Sequence, residues 1–312
     1  MNVFKLISDL EQVDPEVYGR FDSRRRVFQR FSRVGKSVAT ATAPLLLGAL
    51  FQRAYGQGTA LPANIAAVLN FALKLEYLEA AFYSRALSSA GLLPAGGPLT
   101  SITLISADEN KHVNFLRAAL GSQAVPALVE GPAAGNLDFS GAKGGTRPAL
   151  FPTVFSSYPT FLAVAQSLED TGVRAYKGAA PALMANRALL EAALNIHSVE
   201  ARHASRLRSL RRGTTGPGPT APLTPTPKSW VSGDDGGGAA PPTTAPIYGP
   251  GTPAASYPGE ANVTQGGVSL PGIPALAALN LPTAAFSEAF DEPLDTTTVA
   301  SIALNFIVGN TF

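Results

Sequence analysis

The sequence predicts an all-α protein: a four-helix bundle with a long crossover between its second and third helices, followed by an irregular extension rich in Pro and Gly. The unit Glu-x-x-His occurs twice, as Glu109–His112 and Glu200–His203, although the 312-residue chain has only three histidines. Both units lie where apolar residues recur with helical spacing. The stretch 121–159, rich in Gly, Pro, Ser and Ala, lies between them. It is too long for a tight loop and suits a connection that runs the length of a bundle.

Four stretches have helical spacing and few helix-breaking residues. They cover residues 64–90, 99–120, 160–179 and, starting at 181 or 185, up to 211. The first and third each carry a Glu followed two turns later by a Tyr, and the second and fourth each carry Glu-x-x-His. In chain order these pairs are Glu76 and Tyr83, Glu109 and His112, Glu169 and Tyr176, and Glu200 and His203. The order forms an internal two-fold repeat of helix pairs, which is stronger evidence than either unit alone.

The composition allows a large apolar core and limits which kinds of catalytic and metal sites are possible. Apolar residues make up 46% of the chain and charged residues 15%. The absence of cysteine excludes disulfides, thiolate catalysis and thiolate metal sites. Residues 1–56 carry nine Lys/Arg and five Asp/Glu, which leaves fifteen basic and seventeen acidic residues in the rest of the chain. This nearly neutral body argues against a nucleic-acid partner.

Residues 1–56 predict an export signal of the twin-arginine type. Arginines at 24–26 precede an apolar run over about 37–51, and the small residues Ala54 and Gly56 follow. A basic segment, an apolar run and small residues follow one another in this order in signal peptides. The run is short for a membrane span. We therefore expect a periplasmic or extracellular protein with the twin-arginine machinery as a partner; an amphipathic basic helix and an uncleaved anchor are the alternatives.

The remaining chain is expected to divide into a bundle over 57–212 and an arm over 213–312. Residues 213–256 are dominated by Pro, Gly, Thr and Ala, which is typical of either a flexible linker or an extended arm that packs on the bundle. The final stretch predicts a short helix with Asp295 or Thr296 as its N-cap.

The repeated pairs predict a centre for two metal ions. Bundle sites of this type take a Glu from each of two helices and Glu-x-x-His from each of the other two. The single carboxylates are then Glu76 and Glu169, the bridging carboxylates Glu109 and Glu200, and the terminal imidazoles His112 and His203. Oxygen and imidazole ligands suit iron or manganese, and the pattern does not choose between them. Six ligands leave positions open for water, dioxygen or peroxide.

Each candidate also has a structural interpretation. A lone Glu–His pair is more often a structural hydrogen bond than a ligand set, and only the four-part repeat reverses this. Tyr83 and Tyr176 are either redox-active or, as we favour, core residues with hydrogen-bonded hydroxyls. His197 is an accessory ligand, a neighbour of the ligands or a surface residue. Glu79 and Asp170 rank below the six, because they either face solvent or support the ligands.

The chain resembles the ferritin-like superfamily and, more closely, the desiccation-related ferritin-like-domain proteins of bacteria and plants. The resemblance rests on FALKLEYLEAAFY, ADENKHVNFL, SLEDTGVRAY and HSVEARHASRLR in the bundle, and on YPGEANVTQGG and AFDEPLDTTTVASIALNFI beyond it. It implies a four-helix bundle, a bound metal pair and a link to oxidative or desiccation stress.

The leading hypothesis is an exported protein with a carboxylate-bridged iron or manganese pair that carries out peroxide or Fe(II)/dioxygen redox chemistry in stress protection. The alternative is a metal-sequestering or structural desiccation protectant with negligible turnover. Iron storage in a closed shell fits poorly with the long arm and with export. The sequence leaves open whether the chain forms a homo-oligomer.

Overall fold

The computed structural model describes residues 60–215, 228–233, 244–309 and 312. The predicted signal, residues 1–56, lies outside the described residues, as do 216–227 and 234–243 of the Pro/Gly-rich stretch. Within the described part, none of the helices combines the length and the apolar character needed to cross a membrane.

Four long helices form the bundle, which confirms the predicted all-α fold. They are α1 (Ala63–Ser88), α2 (Gly97–Leu120), α3 (Tyr158–Ala179) and α4 (Arg187–Thr215). Helix α1 packs mainly against α2, and α3 against α4. The first residue of α4 differs from the prediction. Residues Ala180–Leu183 form a separate 3₁₀ turn, and the side chain of Asn186 caps α4 by accepting a hydrogen bond from the Leu189 amide at 3.2 Å.

The crossover between α2 and α3 packs along the bundle. It contributes Leu137, Phe139, Phe151 and Val154 to the apolar core, all of them buried. It also pairs with the C-terminal end of the chain, where the Asp138 amide donates to the Phe306 carbonyl at 2.8 Å. A long irregular connection of this kind is stable because its apolar side chains are buried against the helices.

The C-terminal arm consists of short elements. These are α5 (Ala245–Tyr248), an antiparallel hairpin of β1 (Thr264–Gln265) and β2 (Val268–Ser269), α6 (Pro274–Ala277), α7 (Ala284–Ser287) and α8 (Thr296–Ala303). Asp295 is the N-cap of α8, as predicted, and accepts from the Thr298 amide at 3.0 Å. The apolar side of α8 is buried through Val299 and Ile302.

The described part of the arm packs on α3, and Arg174 of α3 holds it there. The Arg174 guanidinium is 2% exposed and pairs with the Glu260 carboxylate at 2.9 Å. It also donates to five backbone carbonyls of the arm, those of Ile247, Gly249, Pro258, Glu292 and Pro293. Gly178 allows this close approach, since a Cβ there would overlap the Leu294 carbonyl.

Candidate metal centre

The four helices bring all six predicted ligand side chains to one place inside the bundle. Helix α1 supplies Glu76, α2 supplies Glu109 and His112, α3 supplies Glu169, and α4 supplies Glu200 and His203. The four carboxylates have no exposed surface, and the two imidazoles are only 7% and 6% exposed. Because residues three apart share a helix face, each Glu-x-x-His unit presents both side chains to the interior.

The six side chains form two overlapping groups of four. Within each group, one ligand atom from each residue lies within 4.8 Å of the others. The first group comprises Glu76, Glu109, His112 and Glu200, and the second Glu109, Glu169, Glu200 and His203. The members common to both are Glu109 and Glu200, the residues that the sequence assigns as bridging carboxylates. Each group therefore has one terminal carboxylate and one imidazole of its own.

Both imidazoles turn Nδ1 toward the carboxylates. His112 Nδ1 lies 3.2 Å from Glu76, 3.1 Å from Glu109 and 3.1 Å from Glu200. His203 Nδ1 lies 2.8 Å from Glu109 and 3.3 Å from Glu169. These short distances place nitrogen and oxygen donors around common points.

Several buried polar atoms of the cluster make no hydrogen bond of good geometry among the described residues, although His203 Nδ1 lies close to Glu109 and Glu169, and His112 Nδ1 lies close to Glu200. These atoms are Glu109 Oε1, Glu169 Oε2, both carboxylate oxygens of Glu200, and His203 Nδ1. Buried polar atoms are almost always paired, because leaving one unpaired costs about 1–3 kcal/mol. Five such atoms in one cluster fit a bound cation. Two divalent ions would also balance the four negative charges of the ligand carboxylates.

Electrostatics in the metal-free protein favour protonation of every member of the cluster except Glu76. Burial would raise the pKa of Glu76, but its contacts with His112 outweigh burial and lower it. Burial raises the pKa of Glu109 to about 7 and that of Glu200 to about 8, and neighbouring carboxylates add to both shifts. Burial also raises the pKa of Glu169. Burial alone would lower the pKa values of His112 and His203, but adjacent carboxylates outweigh it and raise both. Metal ions would therefore compete with protons for these side chains.

Two tyrosines support the terminal carboxylates in a reciprocal arrangement between α1 and α3. The Tyr83 hydroxyl of α1 donates to Glu169 Oε1 of α3 at 2.5 Å, and the Tyr176 hydroxyl of α3 donates to Glu76 Oε1 of α1. Both tyrosines are buried. The favoured interpretation, a packed tyrosine with a hydrogen-bonded hydroxyl, describes this geometry, and the partner in each case is a predicted ligand.

Of the two alternatives for Glu79 and Asp170, the structure excludes exposure to solvent, because both side chains are 3% exposed. Burial and the neighbouring carboxylates, Glu200 first among them, raise the pKa of Glu79 well above its usual value. Asp170 belongs to a different network, where it accepts from Arg208 at 2.5 Å and from the Tyr248 hydroxyl at 2.7 Å. His197 is half-buried and its Nδ1 lies 2.9 Å from the Val173 carbonyl, away from the cluster.

Sequence reasoning missed two residues beside the cluster. Asp108 Oδ2 lies 3.5 Å from His203 Nε2, on the side of the ring that faces away from the carboxylates, where it can orient the imidazole. A Cβ on Gly172 would lie 3.1 Å from Glu200 Oε2 and 3.4 Å from Glu79 Oε1. A glycine inside a predicted helix costs about 1 kcal/mol relative to alanine, and that cost was the available signal of a close approach.

Comparison with known proteins gives one match. Residues 64–212 match the family model described as the ferritin-like domain. The matched segment contains all six residues of the cluster and the crossover. No curated protein and no solved structure shows a significant match to the chain.

Proposed function

We propose that this protein, whose residues 64–212 match the ferritin-like domain family, binds a pair of iron or manganese ions. The proposed ligands are Glu76, Glu109, His112, Glu169, Glu200 and His203. Glu109 and Glu200, which belong to both groups, would be shared by the two ions. Glu76 with His112 would hold one ion, and Glu169 with His203 would hold the other. The convergence of four buried carboxylates and two imidazoles in two overlapping groups supports this proposal.

The proposed activity is redox chemistry. When bound, the metal pair supplies the electron changes for Fe(II) oxidation by dioxygen or for peroxide disproportionation. The chain fixes the positions of the ligand side chains and surrounds them with a dry, low-dielectric interior. Tyr83 and Tyr176 orient the terminal carboxylates, and Asp108 holds the ring of His203. Six protein ligands for two ions would leave room for a small oxygen-containing molecule.

The activity test uses the full chain loaded separately with iron and with manganese. Dioxygen consumption with Fe(II), or dioxygen release from peroxide with manganese, should be lost in Glu109→Ala and Glu200→Ala. The matched control is Glu191→Ala, which removes an exposed carboxylate of α4. Equal activity in all three variants would contradict the proposal. Two retained ions with no turnover in the unaltered protein would instead support the metal-sequestering alternative.

Export through the twin-arginine route is a further part of the proposal, with a role in oxidative or desiccation stress outside the cytoplasm. It rests on the arginines at 24–26 and the apolar run after them. In a host with that machinery, the double variant Arg25→Lys, Arg26→Lys should keep the protein in the cytoplasm. Fractionation that finds the variant exported as fully as the original sequence would contradict this route.

A further inference from the structure

An apolar cavity lies at one end of the four-helix bundle. All four long helices line it, with Leu69, Ala72, Leu116, Tyr176, Ala193 and Ile196 among the lining residues. The cavity has a volume of about 20 Å³. One water needs roughly 10–15 Å³, so the cavity is large enough for a small molecule. The tyrosine hydroxyl is the only polar side-chain group in the lining, and it already donates to Glu76. Walls without hydrogen-bond partners favour a small apolar molecule over water.

The cavity adjoins the Glu76 and His112 half of the carboxylate cluster. Three of its lining residues lie one helical turn from a predicted ligand: Ala72 from Glu76, Leu116 from His112, and Ile196 from Glu200. Tyr176 lies between the cavity and the cluster, because it lines the cavity and its hydroxyl contacts the Glu76 carboxylate. A molecule in the cavity is therefore separated from the cluster by about one layer of side chains.

The opposite end of the bundle is filled by aromatic rings. Around Tyr83, Phe82 stacks on Phe161 with ring centroids 5.2 Å apart. Phe82 also packs against Phe139 and Phe155, each at 5.3 Å. The repeat of ligands and tyrosines is thus symmetric, while the packing beyond the two tyrosines is not. Small side chains such as Ala72 and Ala193 leave the space at the Tyr176 end, whereas bulky rings fill the Tyr83 end.

We propose that this cavity binds dioxygen beside the metal centre and delivers it to the Glu76 and His112 half. Dioxygen is small and apolar, so it partitions from water into dry apolar space. Peroxide needs hydrogen-bond partners, which these walls do not offer. The inference rests on the proposed redox function and narrows its substrate to dioxygen.

The binding test needs no metal. Methyl relaxation is measured by NMR in the full-length, metal-free protein under dioxygen pressure, because dioxygen is paramagnetic. The methyls of Leu69, Leu116 and Ile196 should relax severalfold faster than those of Leu78 and Leu162, which are equally buried and do not line the cavity. Equal enhancement at all five positions would overturn the proposal.

Two variants locate the effect. Ala193→Leu fills the cavity and should abolish the enhancement. Ala192→Leu adds the same side chain at the next position of α4, which is half-buried and outside the lining, and should preserve it. Ala193→Val is a smaller filling for use if the leucine variant does not fold. Preserved enhancement in the folded filling variant would contradict the assignment.

Delivery is tested in the iron-loaded protein. Ala193→Leu should raise the dioxygen concentration for half-maximal Fe(II) oxidation severalfold while leaving iron per chain unchanged. An unchanged dioxygen dependence would overturn delivery through the cavity. A protein that binds dioxygen in the NMR experiment but takes up no iron would overturn the proposed function and leave the dioxygen site standing.

Discussion

Helix α3 supplies residues to two buried groups of charged side chains that differ in how their charge is balanced. The six residues of the carboxylate cluster and the adjacent Glu79 together have five buried carboxylates for two imidazoles. The arm network, defined as Asp170, Arg174, Arg208 and Glu260, pairs each carboxylate with a guanidinium at 2.5 or 2.9 Å. Both groups are buried, so burial alone does not identify a binding site. The excess of buried carboxylates over cationic partners does.

The first prediction concerns the arm network and has the largest expected effect. Arg174→Met should lower the free energy of unfolding by about 3–5 kcal/mol, because it leaves the Glu260 carboxylate and several arm carbonyls without their buried donor. Urea denaturation measures the change. Arg202→Met, at an exposed position of α4, is the control and should cost less than about 0.5 kcal/mol. A loss below about 1 kcal/mol for Arg174→Met would show that the network does not hold the arm.

The second prediction is a pH dependence of the metal-free protein. Raised pKa values mean that the folded state holds protons that the unfolded chain releases near pH 4.3. The stability contributed by Glu109 and Glu200 is therefore present at low pH and lost as pH rises through about 7 and 8. The raised pKa values of His112 and His203 act in the same direction.

Between pH 6 and pH 9 in a chelating buffer, the free energy of unfolding should fall by more than about 2 kcal/mol. Denaturant unfolding at four pH values measures this change. The metal-loaded protein should show a much weaker dependence, because its carboxylates stay ionised. Stability that rises over this interval in the metal-free protein would contradict the account.

The third prediction reverses the sign of the first. Glu200→Gln should stabilise the metal-free protein at pH 9 by on the order of 2 kcal/mol, since it removes the charge of one of five buried carboxylates that share two imidazoles. The same variant should lose the stabilisation that added metal gives the unaltered protein. Thermal unfolding with chelator and with metal separates the two effects. If the substitution destabilised the metal-free protein, Glu200 would be a paired structural residue.

The fourth prediction compares the two tyrosines and has the smallest expected effect. Tyr176→Phe should weaken binding of the ion at Glu76 and His112. Tyr83→Phe should weaken binding of the ion at Glu169 and His203. Loss of such a supporting hydrogen bond lowers metal affinity by about 10- to 100-fold. A stepwise calorimetric titration resolves the two ions. Unchanged affinity in both variants would show that the tyrosines only fill space.

The fold and the geometric convergence of the six residues could be predicted because spacing along a helix encodes a face. Three-residue spacing aligned Glu109 with His112, and seven-residue spacing aligned Glu76 with Tyr83. This alignment on one face holds whatever the helix packs against. The Gly and Pro residues over 121–159 similarly indicated a crossover. They did not indicate that Phe139 and Phe151 would be part of the core.

Features that depend on which surfaces meet could not be predicted. Nothing local marks Arg174 as the anchor of an arm more than seventy residues away in sequence, or Asp170 as the partner of Arg208. Glu79 is buried because α3 approaches closely at Gly172, which helical spacing does not reveal. The cavity beside Tyr176 exists because small residues of several helices meet there, a coincidence of packing.

The central claim is that the carboxylate cluster holds two ions. The most direct test is to titrate the metal-free full-length protein anaerobically with Fe(II) and with Mn(II), and to count bound ions per chain by calorimetry and elemental analysis. The account predicts two ions per chain for at least one metal, and fewer in Glu200→Gln. No uptake of either metal, or uptake that Glu200→Gln leaves unchanged, would contradict it.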